Sequence, residues 1–262
     1  MHSTCSDGKL SPEDVLRRCA VGGLDVIALT DHDMPPALPW GRHSVAGRSI
    51  RVIHGVELST THLDTEQHLL VYFPQEMPAS FAAFCRQLVI ARADRYDTAV
   101  QRIDLPGLDL ADERARRGER ALTRTHLSKA LVDMGHARTL QEAFDRWTGE
   151  RAGLVPHVRL QFLDAIRQAV AAGGITSWAH PRLDQARAWI KEATAAGLHA
   201  LEVYRPRMAR ARQDGLIRLA ARNGLVLTGG SDFHGWSPGQ LGAFSVSGRR
   251  VRDWARRLSL DL

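Results

Sequence analysis

Residues 25–33 read Asp-Val-Ile-Ala-Leu-Thr-Asp-His-Asp. A short apolar run bounded by polar residues reads as a buried strand, and this one opens directly into Thr30-Asp31-His32-Asp33. Working outward, the same design recurs. Residues 50–58 (IRVIHGVEL) and 68–73 (HLLVYF) are two more strands, carrying Glu57 and His68. Ile175 to Ala179 leads into His180-Pro181, Ala200 to Tyr204 forms a further strand, and Leu225 to Thr228 leads through Gly229-Gly230 to Ser231-Asp232-Phe233-His234-Gly235. Helical periods separate these strands: Ser11-Pro12-Glu13-Asp14 caps one helix, and residues 160–172, 184–196 and 210–223 supply three others. Strands alternating with helices predict βαβ units and a parallel sheet. In barrels of parallel strands the loops after the strands meet on one face, so these polar groups are expected to converge.

Between Pro74 and His157 the pattern changes. Residues 81–103 and 125–147 are long, arginine-rich and helical in period, with a Pro106-Gly107 break between them. We read residues 1–73 and 158–262 as the α/β barrel domain and 74–157 as a helical insertion serving as a substrate lid. A chain of 262 residues buries roughly 70–75% of its unfolded surface and needs no disulfide to close a core. The three cysteines, Cys5, Cys19 and Cys85, form no CxxC pair, which argues against a thiolate zinc site and for a reducing compartment. No apolar run reaches the length of a membrane span and no signal-peptide pattern opens the chain, so the expected location is the cytoplasm. The net charge of +6 comes almost wholly from arginine, lysine appearing only at positions 9, 129 and 191. Base composition of the genome accounts for such a bias as well as function does; in the functional reading, the planar guanidinium fork suits an anionic, phosphate-bearing substrate.

The candidate chemistry lies in His2, Asp7, His32, Glu57, His68, His180, Asp232 and His234. Imidazole with carboxylate and no thiolate suits manganese, iron or zinc. Eight donors are too many for one ion, so two or three divalent ions are expected, sharing a carboxylate. Closely spaced divalent ions activate water near neutral pH and stabilise charge on a phosphoryl group. Any one of these residues alone is more often a hydrogen-bonded loop residue; the set is what carries the argument.

His2-Ser3-Thr4-Cys5-Ser6-Asp7-Gly8 resembles the tail of the HxHSxxSDG signature of the polymerase and histidinol phosphatase (PHP) family. Leu29 to Asp33, Gly55-Val56-Glu57, His68, Ala179-His180-Pro181 and Gly230 to Gly235 resemble its remaining motifs, in order. Arg124-Thr125-His126 and Leu131 to His136 resemble the branch that hydrolyses nucleoside 3',5'-bisphosphates and short RNA ends. The resemblance implies a distorted seven-stranded (β/α) barrel with a trinuclear site. His2, Glu57 and Asp232 would hold one ion, and Asp7, His32 and His234 a second. A bridging Glu57 would join His68 and His180 on a third. Manganese is the ion the family implies first, with Fe2+, Zn2+ and Mg2+ as alternatives, and Asp7, His32, Glu57 and His234 are expected nearest the chemistry. The pattern also places a histidine two residues before His2, which this sequence lacks. The expectation is therefore that Met1 is internal to a longer natural protein, and that without that histidine the first position binds weakly.

On the substrate side, Arg92, Arg124 and His126 are the expected contacts to phosphate, a bidentate guanidinium being suited to the group that is not cleaved. Arg95 and the run 114–120 read as solvated helix faces. His43, His54, His62, His136, His157 and His199 read as packed or loop histidines, and Trp178 as core. Asp31 and Asp33 are expected to orient the His32 imidazole. Three functions stay open: a phosphoesterase acting on nucleotides, most of all nucleoside 3',5'-bisphosphates and short RNA ends; a small-metabolite phosphatase such as one for histidinol phosphate; and a non-catalytic phosphate or nucleic-acid binding module. None calls for a membrane or an obligate protein partner.

Overall fold

The computed structural model describes residues 1–109, 120–236 and 241–260; most of the run 114–120 lies outside the described residues. The order begins with α1 (Pro12–Val21), β1 (Val26–Leu29), β2 (Gly41–Val45), β3 (Arg48–His62) and β4 (Thr65–Tyr72). Helices α2 (Ala79–Ile103), α3 (Arg124–Asp133) and α4 (Leu140–Ala143) follow. The alternation then resumes with α5 (Phe162–Ala171), β5 (Ile175–Trp178), α6 (Leu183–Ala195), β6 (Ala200–Tyr204), α7 (Arg210–Arg222), β7 (Val226–Gly229) and α8 (Arg252–Arg257).

The seven strands form one sheet in the order β1-β3-β4-β5-β6-β7, with β2 on β3. It is not wholly parallel, as the alternation had suggested. β1 runs parallel to β3, and β5, β6 and β7 run parallel to one another, but β4 is antiparallel to both β3 and β5. The reason is local. Leu63 and Asp64 both take positive φ (47° and 58°), the geometry of a two-residue hairpin turn that returns the chain at once. Ala46-Gly47 does the same between β2 and β3 (52° and 72°), producing a strand, β2, that no hydrophobic alternation marks. Among the described residues no ladder joins β1 to β7. Met1 and His2 bridge the top of that seam, Met1 O accepting from Thr30 N and His2 N donating to Phe233 O. A cavity of about 570 Å³ runs along the seam beneath them.

Period-two alternation sorts the strand residues into an inner and an outer face. Outward residues of β3, β4, β5 and β6, including Val56, Leu58, Leu69, Trp178 and Leu201, pack against Phe162 and Ile166 of α5, Ile190 of α6 and Leu216 of α7. Ile27 and Leu29 of β1 meet Val15, Leu16 and Cys19 of α1. Inward residues Ile53, Leu70 and Tyr72 are closed off by Ala255, Leu258 and Leu260 at the C-terminal end.

Between β4 and α5 the described elements are helical. α2 belongs to two cores at once: Phe81 and Cys85 join the sheet core, while Tyr96, Ala99, Val100 and Ile103 join Leu122, Leu127 and Leu131 in a separate one. The helical period over 125–147 is not one helix. Gly135 (φ 82°) stops α3, His136 N reaching back to Leu131 O and Gly135 N to Val132 O, a Schellman ending that only a residue tolerant of left-handed backbone accepts. Among the described residues no helix is long and apolar enough to cross a membrane.

The β3–β4 turn holds an exposed leucine (70% exposed) in left-handed backbone, a conformation costing a non-glycine residue roughly 1–2 kcal/mol. Replacing Leu63→Asn, a residue that tolerates this geometry, is expected to stabilise the protein by about 0.5–1 kcal/mol. Urea unfolding of the two proteins measures it; an unchanged midpoint would mean that the turn carries no strain.

Candidate metal centre

The strand-end residues converge. Glu57, on the inner face of β3, is 3% exposed and lies at the middle. Its Oε2 is 3.1 Å from His2 Nε2, while its Oε1 is 2.7 Å from His68 Nδ1 and 3.1 Å from His180 Nε2. His68 Nδ1 and His180 Nε2 are themselves 3.1 Å apart. Asp232 Oδ1 lies 3.5 Å from His2 Nε2. On the other side, Asp7 Oδ1 is 3.3 Å from His234 Nε2 and 3.9 Å from both His32 Nε2 and His2 Nδ1. The His2 and His234 rings stack at 4.0 Å.

These donors crowd together without satisfying one another. His2 Nε2, Asp7 Oδ1 and His32 Nδ1 are buried and make no aligned hydrogen bond. Groups of nitrogen and oxygen donors that could each hold an ion are His2, Asp7, His32 and His234; His32, Glu57 and His68; and His2, Glu57 and Asp232. Buried polar atoms left unpaired are costly, and a cation is the partner that imidazole and carboxylate share. The residues present therefore fit divalent ions.

The local backbone aims two of the candidate donors, His180 and Asp232, and the neighbouring Asp33. Asp33, His180 and Asp232, all just past strand ends, have positive φ (55°, 34° and 49°). Non-glycine residues held there are strained, and such strain persists where the surrounding structure enforces it. Around His2 and Asp7 the chain folds into a tight loop, with Ser6 N and Gly8 N both donating to Ser3 O. A Cβ on Gly8 would stand 2.3 Å from His2 O, so this close approach needs glycine.

Asp31 and Asp33 do not touch the His32 ring, contrary to expectation. Asp31 gathers Ser3 N, Ser3 Oγ and Ser6 Oγ, pinning the loop that carries His2 and Asp7. Asp33 accepts from Ser59 N and from Arg92. Arg92, expected at the substrate, is 8% exposed, and all three of its nitrogens are bonded within the protein: Nε and Nη2 on Asp33, Nη2 also on Ser59 Oγ, and Nη1 on Leu122 O. It fastens α2 to the strand ends. Arg95 is not solvated either; Nη2 bonds Glu66 and Nε bonds Pro156 O. Arg124 bonds Glu66 through Nη2, and among the described residues through that nitrogen alone. His126 caps α3, its Nδ1 accepting from Thr123 N, beside the loop of Ser6 and Asp7.

Two carboxylates at the site escaped the sequence reading. Glu202, 4% exposed on β6, accepts from His180 N, and Arg205 bridges it to Asp232. Its signal was a lone charge inside the apolar strand ALEVY. Glu66 shares a face of β4 with His68, two residues away, and bonds its Nε2. The other histidines have ordinary partners: His43 meets Pro39 O, His54 meets Leu38 O and Met77 N, His136 meets Pro106 O, and His199 meets Thr176. His62 packs against Trp189, and Trp178 is fully buried with Nε1 on Gln67.

The electrostatics divide the imidazoles. Burial alone would depress His2, but Asp232 and Glu57 outweigh it and raise its pKa to about 9. Glu57 and Glu66 likewise overcome burial at His68 and raise it to about 10. Burial and the neighbouring His2 hold His32 well below the usual imidazole range, and burial pushes His126 down to about 4. Against burial, the histidines around them hold Asp7 and Glu57 well below the usual carboxylate range.

A family model of the PHP domain matches residues 1–195. The chain belongs to the PHP family. Among curated relatives, a 3',5'-nucleoside bisphosphate phosphatase of Chromobacterium violaceum is 30% identical over 250 residues, 92% of this chain and 87% of the other. The 5'-3' exoribonuclease Rnm of Salmonella typhimurium is 30% identical over 243 residues, 89% and 83% of the two chains. A phosphoribosyl 1,2-cyclic phosphate 1,2-diphosphodiesterase of Eggerthella lenta is 28% identical over 244 residues, 90% and 92%. Among solved structures, a candidate metal-dependent phosphoesterase from Bifidobacterium adolescentis superposes with a TM-score of 0.78 at 24% identity, covering 98% of this chain and 94% of the other. At that identity the likeness speaks for the fold. This PHP protein is a metal-dependent phosphoesterase.

Two outcomes follow from the geometry. Removing the charge of Arg92 leaves Asp33 buried and unpaired, so Arg92→Met is expected to cost about 3–5 kcal/mol in urea unfolding; a loss below about 1 kcal/mol, the worth of an exposed pair, would contradict the buried pairing. The second concerns pH in the metal-free protein. His2 and His68 have raised pKa values, so their stabilisation is complete below the ordinary 6.5 and fades as pH climbs through about 9 and 10. His32 and His126 are depressed, so they cost stability as pH falls below 6.5. Calorimetry after chelation should find the highest Tm near pH 6.5, with stability falling on either side, while Mn2+ affinity rises from pH 7 to 9 as His2 and His68 shed protons. A Tm that climbs steadily to pH 10 would refute the assignment.

Proposed function

We propose that this phosphoesterase removes the 3'-phosphate of nucleoside 3',5'-bisphosphates and, with the same site, trims short RNA from the 5' end. One observation carries the reading. The His68 ring has metal donors on its Nδ1 side and, through Glu66 on its Nε2 side, the guanidinium groups of Arg95 and Arg124. A substrate with two phosphates meets positive charge at both places, whereas a monophosphate such as histidinol phosphate uses only one. The names of the Chromobacterium and Salmonella relatives support the same class.

In this reading two or three divalent ions are held, Mn2+ before Fe2+, Zn2+ or Mg2+. His2, Glu57 and Asp232 would hold the first, Asp7, His32 and His234 the second, and His68, His180 and Glu57 the third. Glu57 suits the shared place because its two oxygens face different histidines. When bound, the ions activate water and stabilise charge on the phosphoryl group. The chain's own part is to aim that charge. Asp31 and Gly8 hold His2 and Asp7 in register, Glu202 and Arg205 hold His180 and Asp232, and the 74–157 lid presents Arg124 to the uncleaved phosphate with His126 beside the Asp7 loop. His180 and His234, the more exposed of the histidine ligands, stand at the rim, where water or an imidazole protonates the leaving oxygen.

The test is a panel. Protein loaded with Mn2+ is given adenosine 3',5'-bisphosphate, histidinol phosphate and a ribose 1,2-cyclic phosphate, and released phosphate is measured. Turnover of the first alone is expected, abolished by Glu57→Gln. Arg124→Ala should raise KM for the bisphosphate about ten- to a hundredfold, the worth of one charge-assisted hydrogen bond. Preference for histidinol phosphate or the cyclic ester would sink the proposal.

A further inference from the structure

Glu66 gathers three basic groups from three segments. Its Oε1 is 3.2 Å from His68 Nε2 and 3.0 Å from Arg124 Nη2, and its Oε2 is 2.9 Å from Arg95 Nη2. Its side chain is 11% exposed, and its backbone N–H is bonded to Glu150 Oε1 at 2.9 Å, a second tie to the helical stretch. The same carboxylate thus grips the far nitrogen of a donor imidazole and both lid arginines.

We propose that Glu66 is a positioning residue that couples the lid to the metal centre, locking His68 with Nδ1 toward Glu57 and His180 while aiming Arg95 and Arg124 at the uncleaved phosphate. The substrate half rests on the function proposed above; the His68 half does not. A ligand histidine whose other nitrogen donates to a carboxylate is fixed in tautomer and orientation and made a better donor to the ion. The arginines add a constraint in the other direction. Arg124 is 23% exposed and, among the described residues, spends one nitrogen on Glu66, so its remaining N–H groups can take a phosphate without leaving the carboxylate. Arg92, buried with all three nitrogens already bonded, has no comparable reserve. A phosphate on Arg124 offsets part of the guanidinium charge, so Glu66 Oε1, still bonded to Arg124, is a stronger acceptor for His68. Binding of a second phosphate and of the ion at His68 therefore reinforce one another, and by linkage each raises the affinity of the other equally.

The experiment titrates Mn2+ calorimetrically into chelator-stripped wild type, Glu66→Gln and Glu66→Asp, and titrates adenosine 3',5'-bisphosphate and adenosine 5'-monophosphate into the same metal-free proteins, where no turnover interferes. Glu66→Gln is expected to weaken one Mn2+ equivalent by about ten- to a hundredfold and leave the others unchanged. It should also lose more affinity for the bisphosphate than for the monophosphate, and Glu66→Asp should restore part of both. If Glu66→Gln does not fold, Arg124→Ala serves instead: in wild type a hydrolysis-resistant 3'-phosphonate analogue of the bisphosphate tightens one Mn2+ equivalent, and in Arg124→Ala that tightening is expected to disappear. Unaltered Mn2+ binding in folded Glu66→Gln, or tightening that survives Arg124→Ala, overturns the coupling. Failure of the loaded wild type to hydrolyse the bisphosphate sinks the substrate reading alone; a weakened Mn2+ equivalent in Glu66→Gln then still supports the His68 half.

Discussion

A buried carboxylate ringed by imidazoles governs this molecule. Glu57 lies inside the sheet with His2, His68 and His180 within about one hydrogen bond of its two oxygens. Taking such an anion out of water is expensive, and only opposite charge close by repays it. In the metal-free protein protons on His2 and His68 supply that charge. Divalent ions would do so more fully, and the buried Asp7 Oδ1 and His32 Nδ1, which make no aligned hydrogen bond, suit the same positive charge.

The surroundings serve to keep the donors from relaxing. Asp31 holds the loop of His2 and Asp7, Glu202 holds the backbone of His180, and Arg205 ties Asp232 back to Glu202. Left-handed backbone at His180 and Asp232 would unwind if these bonds and the packed strands did not oppose it. Each loop that carries candidate donors is fastened through a carboxylate of the interior. That fastening matters for a phosphoesterase, where catalysis depends on charge already in place when the phosphoryl group arrives.

The helical stretch is fastened by the same means. α2 shares its first turns with the sheet core and its last with a core of its own, so it behaves as a strut. The Arg92–Asp33 pair and the Glu66 cluster set the angle at which that strut meets the strand ends. Arginine is well suited here, its fork satisfying several acceptors at once in a space with little water. Near the site Arg92 and Arg95 are thereby already paired, and among the described residues Arg124 spends a single nitrogen on a partner.

Much was legible from the chain alone. The positions of β1, β3, β4, β5, β6 and β7, the helices between them, and the candidate donors His32, His180, Asp232 and His234 follow from apolar periodicity and from polar residues placed just past strands. Those features are local, and local pattern is what a sequence states directly. Tertiary structure decided what depends on partners distant in the chain. The direction of β4 turned on two residues, Leu63 and Asp64, whose backbone no propensity marks. Whether Arg92, Arg95 and Arg124 met solvent, carboxylate or substrate was set by where Asp33 and Glu66 came to lie. An arginine on a helix reads the same whether its partner is water or a buried anion many residues away, so identity and spacing determined which groups exist, and only packing determined which of them remained free to act.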